Sequence, residues 1–155
     1  MQLHLIAVGN RMPDWVTAGY REYAKRLPRD CELILREIAP GKRGKNADLV
    51  RLRAEEGERI MAALSRDDHV VALEVDGQAW STEDLADHLA HWLRNGRRVA
   101  LLVGGPDGLP DACRQRAHQL WSLSRLTLPH PVVRVLLAEQ IYRAWSLLSH
   151  HPYHR

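Results

Sequence analysis

Two uninterrupted apolar runs, His69 to Val75 (HVVALEV) and Arg98 to Val103 (RVALLV), constrain this chain more than any other feature. A strand with one face in water alternates apolar and polar residues, whereas a strand covered by helices on both faces reads as a continuous apolar stretch. Around these runs, strand and helix patterns alternate. Gln2 to Gly9 predicts a first strand, and Asp14 opens a helix in which Trp15, Ala18, Tyr23 and Leu27 recur at near-helical spacing. Cys31 to Ala39 predicts a second strand with Cys31, Leu33 and Leu35 on one face. Asn46 is the expected N-cap of a helix through Ala47, Leu49, Val50, Leu52, Ile60, Met61 and Leu64, with Gly57 its weakest point.

Ser81 and Asp84 form a candidate capping box, and the helix they start is expected to end near Gly96. After the turn Gly104 to Gly108, a helix is predicted from about Pro110 to Leu120, followed by a short strand or extended loop from Trp121 to Leu128. An amphipathic last helix is predicted from Val132 to Leu148. Regular alternation without a composition break implies one α/β domain over residues 1–155, with a mainly parallel sheet and helices on both faces.

At 155 residues such a domain buries about 70% of its unfolded surface and needs no covalent staples. The two cysteines, Cys31 and Cys113, lack the paired spacing of a zinc or redox motif and read as small buried hydrophobes in a reducing compartment. The N-terminal segment has no basic stretch followed by a long apolar run, so neither a signal peptide nor a membrane association is expected, and the predicted location is cytoplasmic. A net charge of +3 permits contact with nucleic acid only through local patches. The densest is Lys42, Arg43 and Lys45, with Arg51 and Arg53 beyond it; it reads either as a phosphate-contacting loop or as a solvated face.

Ligands in open α/β sheets bind beyond the carboxyl ends of the strands, which draws attention to Gly104-Gly105-Pro106-Asp107-Gly108. The segment is either a tight turn or a loop that lets a ligand approach the backbone. It lacks the Gly-Lys-Ser/Thr ending of a P-loop, and its glycines lie too late in the chain for a dinucleotide fingerprint. Ser124 to Pro131 alternates apolar and polar residues before two prolines. This stretch either offers backbone groups to an adenine edge or is a strand end leading into a Pro-started helix. His130 reads as a structural histidine, Ser122 and Ser124 lack a hydrolase elbow, and the terminal histidines have no acidic or cysteine partner at ligand spacing, so no metal is expected.

Taken together, Gly41 to Ala47 (GKRGKNA), Gly104 to Gly108 (GGPDG), Leu126 to His130 (LTLPH), Tyr142 to Trp145 (YRAW) and His151 to Arg155 (HPYHR) closely resemble the RlmH family of the SPOUT superfamily. The resemblance implies an α/β knot with a C-terminal trefoil, a homodimer, and methyl transfer from S-adenosylmethionine to N3 of pseudouridine-1915 in 23S rRNA of the assembled ribosome. It implies a cofactor pocket formed by Leu73, Gly105, Ser124, Arg125, Leu126, Thr127, Leu128 and Pro129. On the substrate side it implies the tail residues Tyr153, His154 and Arg155, with Tyr142 and Arg143 nearby. Arg155 is the expected stabiliser of charge developing on the base, and His154 a candidate proton acceptor. Asp107 departs from the glutamate common in that family. Two other classes compete: a nucleotide-binding hydrolase, and a non-catalytic ribosome-associated RNA-binding module.

Overall fold

The computed structural model describes residues 1–46 and 48–154. Its strands are β1 (Gln2–Val8), β2 (Glu32–Ile38), β3 (His69–Ala79), β4 (Val99–Val103) and β5 (Gln119–Ser122). Its helices are α1 (Asp14–Ala24), α2 (Leu49–Ala63), α3 (Thr82–Asn95), α4 (Asp111–Arg116) and α5 (His130–Leu148). The five strands pair in the order β2-β1-β4-β3-β5, and every pairing is parallel.

The apolar runs that dominate the sequence become the inner strands, as double coverage demands. All five residues of β4 are buried. On β1 and β4, Leu3, Leu5, Ala7, Val99, Leu101 and Val103 pack toward Tyr20, Leu85, Leu89, Leu137 and Ile141 of α1, α3 and α5. The alternate residues Ile6, Val8, Ala100 and Leu102 pack toward Ile60, Ala63 and Cys113 of α2 and α4. Both cysteines are free and buried, and burial pushes the Cys31 thiol up to about 12 and the Cys113 thiol up to about 11.

Several boundaries move, each for a physical reason. The capping box forms with both Ser81 and Asp84 bonds made, and Gly96 ends α3 in the left-handed conformation at φ 69°. Helix α2, however, is capped by Asp48, whose Oδ1 accepts from the Arg51 amide at 3.2 Å, and not by Asn46. The preceding loop is tied to Glu56, which accepts from the Gly41 amide at 2.9 Å and from Arg43, so the helix starts later. Ala47, expected inside it, lies outside the described residues.

Helix α4 stops at Arg116 because the chain is already joining the sheet edge: the His118 amide donates to Val70 O at 2.8 Å, and the Val70 amide donates to His118 Nδ1 at 3.0 Å. The fifth strand therefore comes earlier than Trp121 to Leu128 and ends at Ser122. Helix α5 starts at His130, with Pro131 tolerated in its first turn. It is not a surface amphipathic helix. Flanked by α1 and α3, it exposes no residue from His130 to Leu148 fully to water.

Candidate active site

Near its carboxyl end β3 breaks step with β5. Both Leu73 and Gln78 align with Trp121, so residues 74–77 bulge out of the ladder. Gly77 permits this: a Cβ there would lie 2.8 Å from the backbone of Leu120 and Trp121. Beside the bulge, β4 runs into the glycine turn, where the Gly108 amide donates to Gly105 O at 3.0 Å. A Cβ on Gly104 would sit 2.5 Å from the Gly108 carbonyl carbon. That position admits only glycine without moving main chain.

Bulge, glycine turn, the segment 123–129 and the first turn of α5 enclose a cavity of about 610 Å3. It lies beyond the carboxyl end of β4 and beside the bulge of β3, on the side where open α/β sheets bind ligands, and its size falls within the range of small-molecule sites. Leu73, Gly105, Ser124, Leu126, Thr127, Leu128 and Pro129 all line it. Arg125 does not line it and is exposed. The loop is shaped by short local bonds: Ser122 Oγ donates to Ser124 O at 2.9 Å, and Ser124 Oγ accepts from the Leu126 amide at 2.9 Å. Leu126 is 73% exposed and forms a rim.

Three neighbours escaped the sequence reading. His130, expected to be structural, lines the cavity. Burial, reinforced by Arg134 and Arg43, holds its imidazole below the ordinary histidine value. Arg134, 1% exposed, donates to Gly9 O at 2.7 Å and to Glu37 at 2.7 Å, clamping the exit of β1 to the start of α5. Glu56, also 1% exposed, receives Arg43 Nη1 at 3.0 Å, while Arg43 Nη2 reaches Asp107 at 2.8 Å. Arg43 thus fastens the glycine turn to α2, and the carboxylate at position 107 is its partner. Of the basic loop, Lys42 and Lys45 remain exposed.

The tail candidates gather elsewhere. Tyr153 Oη donates to Glu139 Oε1 at 3.0 Å, an oxygen that also receives Arg143 Nε at 2.9 Å. Burial and the Glu139 hydrogen bond push the Tyr153 phenol up to about 12. The Tyr142 and Tyr153 rings meet edge to face at 4.5 Å, and the Arg26 guanidinium lies 5.3, 5.5 and 5.9 Å from the Tyr23, Tyr142 and Tyr153 ring centres. His154 ends the short 3-10 turn Pro152–His154, and Arg155 lies outside the described residues. Tyr142 lies twelve positions after His130 on α5, about 18 Å along the helix. Among the described residues no group of three His, Cys, Asp or Glu side chains is placed to hold a metal ion, and no helix is long and apolar enough to cross a membrane.

Residues 1–154 match the family described as "Predicted SPOUT methyltransferase". Over all 155 residues the chain is 64% identical to the ribosomal RNA large subunit methyltransferase H of Methylococcus capsulatus, covering 100% of that protein. It is 61% identical to the protein of the same name from Hahella chejuensis, covering 100% of this chain and 99% of that one. The fold is similar, at a TM-score of 0.54 and 13% identity, to a putative methylase family protein from Neisseria gonorrhoeae, over 96% of this chain and 93% of that one.

Proposed function

Since this chain belongs to the SPOUT methyltransferase family, we propose that it transfers a methyl group from S-adenosylmethionine to large-subunit ribosomal RNA. The proposed target is N3 of pseudouridine-1915 in 23S rRNA of the assembled ribosome, modified in the cytoplasm. The observation that carries this reading is the cavity at the strand ends, walled by Leu73, the glycine turn and the segment 124–129. Its size suits a nucleoside-sized ligand. No lysine or arginine lines it among the described residues, which disfavours a triphosphate or a dinucleotide.

Leu73, Leu126 and Leu128 cover the faces of an adenine, while backbone amides and carbonyls from Ser124 to Pro129 and Gly105 read its polar edge. Arg125, exposed and outside the lining, is assigned to this segment by the resemblance alone. Bound there, S-adenosylmethionine supplies a methyl group on a sulfonium, open to attack by a nucleophilic nitrogen. The chain's own residues must hold the base in line with that methyl and help remove the N3 proton. Tyr142, Tyr153, His154 and Arg155 are the proposed substrate side. Arg155 and backbone donors favour the imide anion by opposing charge on the carbonyl oxygens flanking N3.

The placement of cavity and tail cluster at different ends of α5, with His130 and Tyr142 about 18 Å apart along the helix, supports a homodimer in which one protomer's tail serves its partner's cavity. The family's trefoil-knotted C-terminal threading is part of the same proposal.

Labelled S-adenosylmethionine offered with ribosomes lacking the modification, followed by mapping of the labelled nucleotide, tests the reading. Label at N3 of that pseudouridine is expected. Ribosome binding without label would instead favour a non-catalytic module. Arg155→Ala is expected to keep cofactor affinity and lose most label.

A further inference from the structure

Glu74 is the single carboxylate on the cavity wall among the described residues. It follows Leu73 at the point where β3 bulges from the ladder, so the backbone that shapes the cavity also carries this side chain. Its Oε1 is buried and receives no hydrogen bond. The nearest cation, Arg114 Nε, stands 3.6 Å away, is partly in water, and is shared with Asp111 at 3.7 Å. Burial outweighs the pull of Arg114, and the carboxyl is held above its ordinary value. A carboxylate on the wall of an open cavity, with no hydrogen bond to this oxygen and only a long ion pair to a shared arginine, has capacity left for a further donor or a cation.

The remaining wall is neutral. Apart from His130, whose imidazole favours its uncharged form, the other lining residues are aliphatic side chains, glycines, prolines, Ser124 and Thr127. In so weakly polar a cavity one carboxylate sets the sign of the field.

We propose that Glu74 reads the positive charge of the methyl donor, so that the cavity holds the sulfonium form more tightly than its demethylated thioether product. This rests on the methyl-donor reading of the cavity and deepens it. During transfer the carbon–sulfur bond breaks and its electron pair stays on sulfur, while the methyl forms a bond to N3 and the N3 proton departs. The cofactor therefore loses one positive charge. Its attraction to Glu74 weakens at that moment, which favours product release. The cofactor's ammonium group is present before and after transfer and cannot provide this discrimination.

Calorimetric titration of the intact protein with S-adenosylmethionine, S-adenosylhomocysteine and sinefungin, whose amine replaces the sulfonium, tests the proposal without any turnover. The wild type is expected to bind the two cationic ligands about tenfold more tightly than the thioether. In Glu74→Gln that ratio should fall to within about twofold, through loss of affinity for the cations. A wild-type ratio near one overturns the proposal, and this arm needs no variant. Equal weakening of all three ligands in Glu74→Gln also overturns it, since that is the signature of a contact to the ribose or ammonium. If the wild type binds none of the three, the methyl-donor reading itself fails.

Discussion

The two ends of helix α5 solve opposite problems. At its start, around His130 and Val133, the walls are neutral and much of the shape comes from main chain: a glycine turn, a bulged strand and a loop tied by its own serines. Toward its other end, around Glu139 to Trp145, shape comes from charged and aromatic side chains, with Arg26, Arg143 and Glu139 organising three tyrosine rings. Backbone walls tolerate little change because main chain cannot rotate out of the way. Side-chain clusters degrade gradually. The difference fits the proposed roles of a rigid pocket for the methyl donor and an adaptable surface for a large RNA.

Gly104→Ala is the sharpest way to break that comparison. The new methyl would meet the Gly108 carbonyl carbon at 2.5 Å, and neither residue can yield without moving the turn. Affinity for S-adenosylmethionine is expected to fall by about a hundredfold or more, read by calorimetry, while far-ultraviolet circular dichroism stays close to wild type. Binding within threefold of wild type would show that the turn flexes and that the cavity is less rigid than its backbone construction implies.

A smaller effect is expected at the other end. Glu139→Ala removes the oxygen that receives both Tyr153 Oη and Arg143 Nε. Displacing the tail by even an ångström should lower methylation of unmodified ribosomes by about tenfold or more, with cofactor affinity unchanged within twofold. A parallel loss of cofactor affinity would mean that the two ends of α5 are one unit.

The same contrast decides what the sequence makes legible. Strands β1 and β4, the capping box at Ser81 and the glycine turn are encoded locally, in period, run length and short motifs, and appear within a residue of where they are expected; β3 starts at His69 as expected but runs past Val75 to Ala79 through its bulge. The proposed cofactor segment 124–129 is likewise contiguous, and the resemblance assigned it as a block. What stayed hidden depends on partners remote in sequence. Arg134 sits inside an apolar helical pattern, and its use becomes apparent only when Gly9, 125 positions away, is beside it. Arg43 reads as a free basic residue until Glu56 and Asp107 are seen to enclose it.

Glu74 hid within an apolar run, although one signal was available: an isolated glycine in a strand pattern, here Gly77, marks a bulge. Gly57 teaches the converse. It looks like a flaw in α2, yet a Cβ there would meet Pro110 Cγ at 2.5 Å, so the residue that weakens the helix lets the loop before α4 pack against it.

The smallest predicted effect separates the two ends by pH. Burial, then Arg134 and Arg43, depress the His130 imidazole below 6.5, with Glu56 pulling the other way. The folded state therefore takes up this proton less readily than the unfolded chain. The contribution to stability is complete above the unfolded value near 6.5 and declines as pH falls through 6.5 toward the lower folded value. His4, His88 and His118 are depressed in the same direction, so they share the slope. Arg143, held above its ordinary value chiefly by the Glu139 hydrogen bond, keeps its charge throughout and adds nothing to it. His130→Gln should remove one part of the acid-side loss seen in urea unfolding between about pH 7.5 and 5.5. That part is expected to be under about 1 kcal/mol, because the ring is partly in contact with water. An unchanged slope in His130→Gln would mean that water reaches the imidazole as freely in the folded protein as in the unfolded chain. The neutral character of the cavity would then rest on its aliphatic and backbone walls alone.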